Sequence, residues 1–306
     1  MLVPSRHNSG LSAPTRPCLD VSFEPSVVRQ VVPHQPEFPA VLTAISRPVR
    51  ELWVRGRLPD PRQPALSIVG ARAATVAGCR LAGELAAVAV ARGHAIVSGG
   101  ALGIDAASHR GALAAGGVTY AVLGCGADVA YPDRHATLFS EISLRGGLLS
   151  EYPPGTPPRA GNFPVRNRIV AALASSVLVV EAKLASGALV TARLADKLGR
   201  ALLAVPGSAG TDGLIAAGQA RPIRDAADLA CALAGEAPVA RMAPSAFAPL
   251  LAALTARDAG AAELSRCLVL SLSATLALIA EAELGGWVVR RPGGLYGISR
   301  EAVHAN

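Results

Sequence analysis

The stretch Ala65-Leu-Ser-Ile-Val-Gly-Ala-Arg72, answered further on by Ala95-Ile-Val-Ser-Gly-Gly-Ala-Leu-Gly-Ile-Asp105, decides the class of fold. Each begins as a short apolar run rich in β-branched residues and breaks into glycine, and between them Val76 to Arg92 carries apolar residues at helical spacing. Strand, glycine turn, helix, strand is a βαβ unit, and the same cadence continues along the chain. Strand candidates are Leu66 to Val69, Ala95 to Val97, Thr119 to Leu123, Leu148 to Leu149, Val177 to Val180 and Leu202 to Val205. Helix candidates between them are Val76 to Arg92, Asp105 to Ala115, Arg134 to Arg145, Asn167 to Ala174 and Leu189 to Leu198. Runs that are apolar throughout, rather than alternating, belong to strands covered on both faces. Six such strands with five crossovers predict an α/β fold, a doubly wound parallel sheet, over residues 37–234.

Outward from that body the pattern fades. Residues 1–36 mix Pro, Ser, Arg and His without periodicity, which predicts a disordered N-terminal arm, and from Phe38 to Arg57 a short helix-like stretch and the apolar Leu52, Trp53 and Val54 lead into the main body. Residues 235–249 hold three prolines and little periodicity, as a linker does. Over 250–306 the chain shows a helix, then helices at Ala261 to Cys267 and Ser271 to Leu284. Trp287 to Arg291, a Pro292-Gly293-Gly294 turn and Leu295 to Ile298 close it, the outline of a small C-terminal winged-helix domain.

The 306 residues are 51% hydrophobic, enough for a sizeable core. A formal charge of +7 favours a polyanionic partner without excluding a basic enzyme. Only Lys183 and Lys197 are lysines, so 27 of the 29 basic residues are arginine, the better side chain for bidentate phosphate contact and for stacking on bases. Cys18, Cys79, Cys125, Cys231 and Cys267 lie far apart with no CxxC pair, which predicts reduced, mostly core thiols and no metal site. No basic stretch followed by an apolar segment opens the chain, and its most apolar windows are broken by Glu84, by Ser175 with Ser176, or by Glu281. A cytoplasmic protein without a membrane span is expected.

The turn at the end of each apolar run carries the chemistry. Gly70, Ala71 and Arg72 come after the first, Ser98, Gly99 and Gly100 with Gly103 after the second, and Gly124 and Gly126 after the third; Glu181, Ser186 and Gly187 come after the fifth and Pro206, Gly207 and Ser208 after the sixth. In an open α/β sheet these turns meet at the carboxyl edge, where glycine lets backbone amides approach oxyanions near helix N-termini. Any one of these turns is explained as well by tight strand-to-helix geometry, but five together favour phosphate binding. Nearby, Phe163, Arg166, Asn167 and Arg168 combine guanidinium groups with a ring, the pairing expected of a sequence-tolerant single-strand site.

Taken in order, Ser67-Ile-Val-Gly-Ala-Arg72, Ser98-Gly-Gly-Ala-Leu-Gly-Ile-Asp105 with His109, Tyr131-Pro132, Ser150-Glu151, Phe163-Pro-Val-Arg-Asn-Arg168, Ser186-Gly187 with Thr191, and Pro206-Gly207 resemble the DNA-processing (DprA/Smf) family. The resemblance runs from about Glu37 to Val303. It implies an extended Rossmann-like domain that binds single-stranded DNA at the carboxyl edge, forms a homodimer and loads the RecA recombinase in natural transformation, with no cofactor. Mapped onto this chain, the family's Gly-Ser-Arg phosphate motif falls at Gly70, Ala71 and Arg72, with alanine replacing the hydroxyl. Leu102 stands where the family has an arginine, and Arg166 and Arg168 match its Arg-Asn-Arg segment.

Single residues admit plainer readings. His109 four residues after Asp105 suggests a base with its orienting carboxylate, but with no nucleophile at readable spacing the expectation is a capping Asp105 and a packed histidine. Glu181 suits either a ribose hydroxyl or an ion pair with Arg168 or Arg193. Between Leu268 and Gly286 there is no Arg, Lys, Asn or Gln, so the third helix of the last domain is poorly built for a DNA groove and fits protein contact or regulation. Two other functions compete: a nucleoside-monophosphate phosphoribohydrolase, whose glutamate is Leu214 in Pro206-Gly-Ser-Ala-Gly-Thr-Asp-Gly-Leu214, and a nucleotide-sensing regulator. Leucine transfers no proton, so no catalytic residue is expected.

Overall fold

The computed structural model describes residues 27–236 and 245–299. Most of the arm expected over 1–36 and the middle of the expected linker lie outside the described residues. From Val28 the arm is not an arm: β1 (Val28–Val31) pairs antiparallel with β2 (Leu52–Gly56), which in turn pairs antiparallel with β6 (Gly147–Ser150). In place of the expected helix-like stretch there is one 3-10 turn, Ala40–Leu42, before β2, where Leu52 and Val54 are buried and Trp53 and Arg55 half-buried. That alternation is a strand period, hidden in the sequence by its brevity.

The remaining strands are parallel: β3 (Ala65–Val69), β4 (Ala95–Ser98), β5 (Thr119–Leu123), β6, β7 (Ser176–Val179), β8 (Ala201–Ala204) and β9 (Arg221–Pro222). The sheet order is β1-β2-β6-β5-β4-β3-β7-β8-β9, so the chain builds one way from β3 to β6 and then returns to the other side of β3 with β7. The carboxyl ends of β3 and β7 therefore flank the switch point, where an open sheet leaves a crevice. On one face lie α1 (Val76–Ala91), α2 (Ile104–Ala114), α3 (Ala136–Arg145) and α7 (Ala226–Leu233). The other face carries α4 (Asn162–Ala172), α5 (Gly187–Lys197) and α6 (Ala209–Ala216).

Two helices depart from expectation in ways that matter for the site. α4 starts at Asn162 rather than Asn167, because Pro164 falls in its first turn, where a missing amide hydrogen costs nothing. α6 is not anticipated by the sequence pattern; it places Leu214 in the core beneath the sheet. Of the cysteines, Cys125 is buried, but Cys267 is exposed, against the expectation of core thiols.

Residues 245–299 build their own core around Phe247, Leu250, Leu264, Ile279, Trp287 and Tyr296. The elements are α8 (Ala248–Thr255), β10 (Ala259–Gly260), α9 (Ala261–Leu268), α10 (Leu272–Leu284), β11 (Val288–Arg291) and β12 (Leu295–Ile298), the strands forming one antiparallel sheet ordered β10-β12-β11. α8 opens inside the segment expected to be linker, since Phe247 and Leu250 have a core to enter. Among the described residues no single helix is long and apolar enough to cross a membrane.

Candidate functional site

At the end of β3 the chain turns through Gly70, Ala71 and Arg72. Ala71 donates its amide to Glu181 O at the end of β7 (2.8 Å) and accepts from the Ile104 amide (3.2 Å), tying the two sides of the switch point to the start of α2. Gly103, with φ +74°, backs so closely onto the Ala71 and Arg72 carbonyls that no side chain fits there. Gly70 meets the Ile104 side chain in the same way. The Glu181 carboxylate pairs with neither Arg168 nor Arg193. It accepts from the amide (3.1 Å) and hydroxyl (3.0 Å) of Thr75, whose Oγ1 in turn accepts from the Gly78 amide and caps α1.

Arg72 is exposed, and its guanidinium lies 5.3 Å from the centre of the Phe163 ring. Phe163 rests against Gly124, where an added Cβ would come within 2.8 Å of the ring, and its centroid is 5.6 Å from that of Tyr131. Asn162 Nδ2 donates to Gly124 O (2.9 Å), fixing the start of α4 to the end of β5. Three glycine turns, an exposed cation and two rings thus come together.

The other two arginines face inward. Arg166 is 4% exposed and donates to the carbonyls of Gly99 (2.6 Å) and Val122, with Nε to Asn167 Oδ1 (3.2 Å). Burial drags its pKa down to about 10, with the nearby Asp105 charge opposing, so it stays a cation at neutral pH. Asp105 is buried too; it accepts from the amides of Gly99 (3.1 Å) and Ala101 (3.3 Å) rather than capping α2, and burial raises its pKa. Arg168 grips Glu151 with both terminal nitrogens (2.6 and 2.5 Å) and donates to Arg47 O (2.9 Å), outside the crevice. Of the expected cations, then, Arg72 is the one displayed.

Ser98 turns its hydroxyl inward to Ile68 O (2.6 Å), and Gly100, at φ +68°, packs on Phe139 and offers its carbonyl to His135 (3.1 Å). The Gly126 amide is taken by Thr156 O (2.9 Å). Asn167 spans to the far side of the site, donating from Nδ2 to Gly187 O (3.3 Å), which also accepts from Thr191 (3.3 Å). Ser186 heads α5 with a buried hydroxyl that has no partner among the described residues. Beside these turns lies a pocket of about 290 Å³ whose lining includes Ala71, Glu181, Lys183 and Ser208. Tyr131, Asn162 and Lys183 are not among the expected site residues. Tyr131 is signalled by standing beside Pro132 after the third glycine turn, the others only by their neighbours.

His109 is wholly buried, and burial pushes its pKa down to about 3. Thr119 Oγ1 donates to Ile96 O (3.1 Å), so His109 Nδ1 must donate to Thr119 (2.7 Å), leaving Nε2 an acceptor without a partner among the described residues. It holds α2 to β4 and β5.

Sheet order, switch point and glycine-lined edge define a Rossmann-like α/β protein with a glycine-lined crevice at its switch point. The chain belongs to the DNA recombination-mediator protein A family, whose model matches residues 29–234. It is 43% identical over 183 residues to protein Smf of Synechocystis, covering 58% of this chain and 46% of that one. Over 157 residues it is 42% identical to the DNA processing protein DprA of Streptococcus pneumoniae, 51% of this chain and 55% of that one. The chain therefore spans about half the length of the curated relatives it matches. Among solved structures it is similar to that S. pneumoniae protein (TM-score 0.63, 35% identity, 68% of this chain and 74% of that one). The DNA processing protein A of Helicobacter pylori, described with a single-stranded DNA binding mode, gives a TM-score of 0.61 at 30% identity over 70% of this chain and 97% of that one.

Proposed function

We propose that this chain binds single-stranded DNA along the carboxyl edge of the sheet and acts as a recombination mediator rather than an enzyme. The Ala71, Gly99 and Ala101 amides are bonded within the fold, so it is the remaining amides of the Gly70–Arg72, Gly99–Gly103 and Ser186–Gly187 turns that approach the phosphates, while Arg72 supplies the charge and Phe163 a face for a base. Arg72 over Phe163 is the observation that carries this reading: an exposed guanidinium parked on a ring has a phosphate to move to and uncovers a π surface when it goes. Arg166, Asn167 and Arg168 hold the scaffold, and Thr191 serves the start of α5. Ala71 withholds a hydroxyl and Leu102 a cation, so the grip is weaker than where the family has serine and arginine.

The single-stranded DNA binding ascribed to the H. pylori protein supports the ligand, and the family description supports the wider role. On that role the protein works in the cytoplasm as a homodimer and hands its strand to RecA recombinase. Residues 248–298 have the outline of a winged helix, and α10, without Arg, Lys, Asn or Gln, faces a protein rather than a groove. The phosphoribohydrolase reading is weakened further by Leu214, which packs in the core where a glutamate would stand. Gel shifts with single-stranded, double-stranded and mononucleotide competitors test the proposal. Single strands should compete far better than the other two; equal competition by a mononucleotide would replace it with a nucleotide sensor, and base release from nucleoside monophosphates with an enzyme.

A further inference from the structure

Among the described residues Tyr131 is the only aromatic among the strongly exposed large hydrophobics, at 43% exposure. The others are aliphatic. Its hydroxyl has no hydrogen-bond partner among the described residues, so neither burial nor a polar contact accounts for the ring's place. It stands in the loop between β5 and α3, 5.6 Å from Phe163 with the ring planes tilted by 31°, and Phe163 carries Arg72. Phe163 thus stands in contact with both Arg72 and Tyr131.

The loop that presents Tyr131 is braced. Asp128 accepts from the Gly155 amide (2.9 Å), Gly126 donates to Thr156 O (2.9 Å), Val129 donates to Gly126 O (3.0 Å), and Ser150 donates to Cys125 O (2.6 Å). A bare ring held on a fixed loop is a preorganised surface, which a planar ligand covers without ordering cost. We infer that Tyr131 is a second base-stacking residue, taking the nucleotide next to the one over Phe163, so that the strand runs from Arg72 toward the β5–α3 loop. This rests on the strand-binding reading above and adds the direction and extent of the site. Stacking of this kind tolerates any base, since every base offers a π face.

The test compares the full-length protein, Tyr131→Ala and Tyr131→Phe by fluorescence anisotropy, using an oligo-dT and an abasic oligonucleotide of equal length. Tyr131→Ala should lose roughly five- to hundredfold in affinity for oligo-dT. It should keep its affinity for the abasic strand and its salt slope, and Tyr131→Phe should match wild type on both. Equal loss on both strands, or no loss on either, overturns the assignment. Wild type failing to bind either strand overturns the strand-binding reading itself, a result distinct from a silent Tyr131 in a protein that binds.

Discussion

Three arginines near one crevice have three different fates. Arg72 is displayed over a ring, Arg166 is sealed among carbonyls beside Asp105, and Arg168 is locked to Glu151. The sequence announces a cationic, aromatic cluster but cannot sort it, because the sorting depends on where α4 begins. Starting at Asn162 instead of Asn167 puts Arg166 and Arg168 in the second turn, facing the sheet, rather than at the exposed start. Their separate roles give separate outcomes. Arg168→Ala leaves the Glu151 carboxylate, 17% exposed, without its partner, and should destabilise the protein by about 3–5 kcal/mol in urea unfolding. A loss under about 1 kcal/mol would mean that this pair behaves like a surface one.

Elements are legible where their signal is local. The six parallel strands expected from the sequence all exist within a residue or two, since short runs that are apolar throughout need no distant partner to be recognised. β1 and β9 escape such a reading as edge strands and β2 as an antiparallel strand between β1 and β6; all three are short and part polar, and their pairing is set by register across the sheet rather than by composition. The glycine turns are expected as phosphate cradles, and the structure adds that they are keyed into one another. Gly103, at φ +74° and ψ −124°, is the tightest case. Gly103→Ala should cost at least about 2 kcal/mol, from backbone strain together with the clash against the Ala71 and Arg72 carbonyls. It should also weaken strand binding by shifting Arg72. Unchanged stability by thermal melting would show that the turn is looser than its geometry.

At the scale of the molecule, the sheet buries two histidines beside the site. His109 is pushed to about 3 by burial, and His135 is lowered for the same reason. A histidine whose pKa in the fold lies below its unfolded value contributes stability that is complete above about pH 6.5 and is lost as pH falls, levelling off below its folded value. Urea unfolding should therefore give lower stability at pH 5 than at pH 7.5, with His109→Gln flattening the difference. A pH-independent midpoint would contradict the buried neutral ring. A packed His109 is expected from the sequence, but its Thr119 partner, a strand residue ten positions away, is not legible there. The central claim is that an exposed Arg72 on a glycine-lined sheet edge holds the phosphates of an unpaired strand. Its most direct test is the slope of log affinity against log salt for an oligo-dT, measured with wild type and Arg72→Ala. The account predicts a shallower slope in the variant, by about 0.7 for the one phosphate contact removed. Identical slopes and affinities for the two proteins would contradict it.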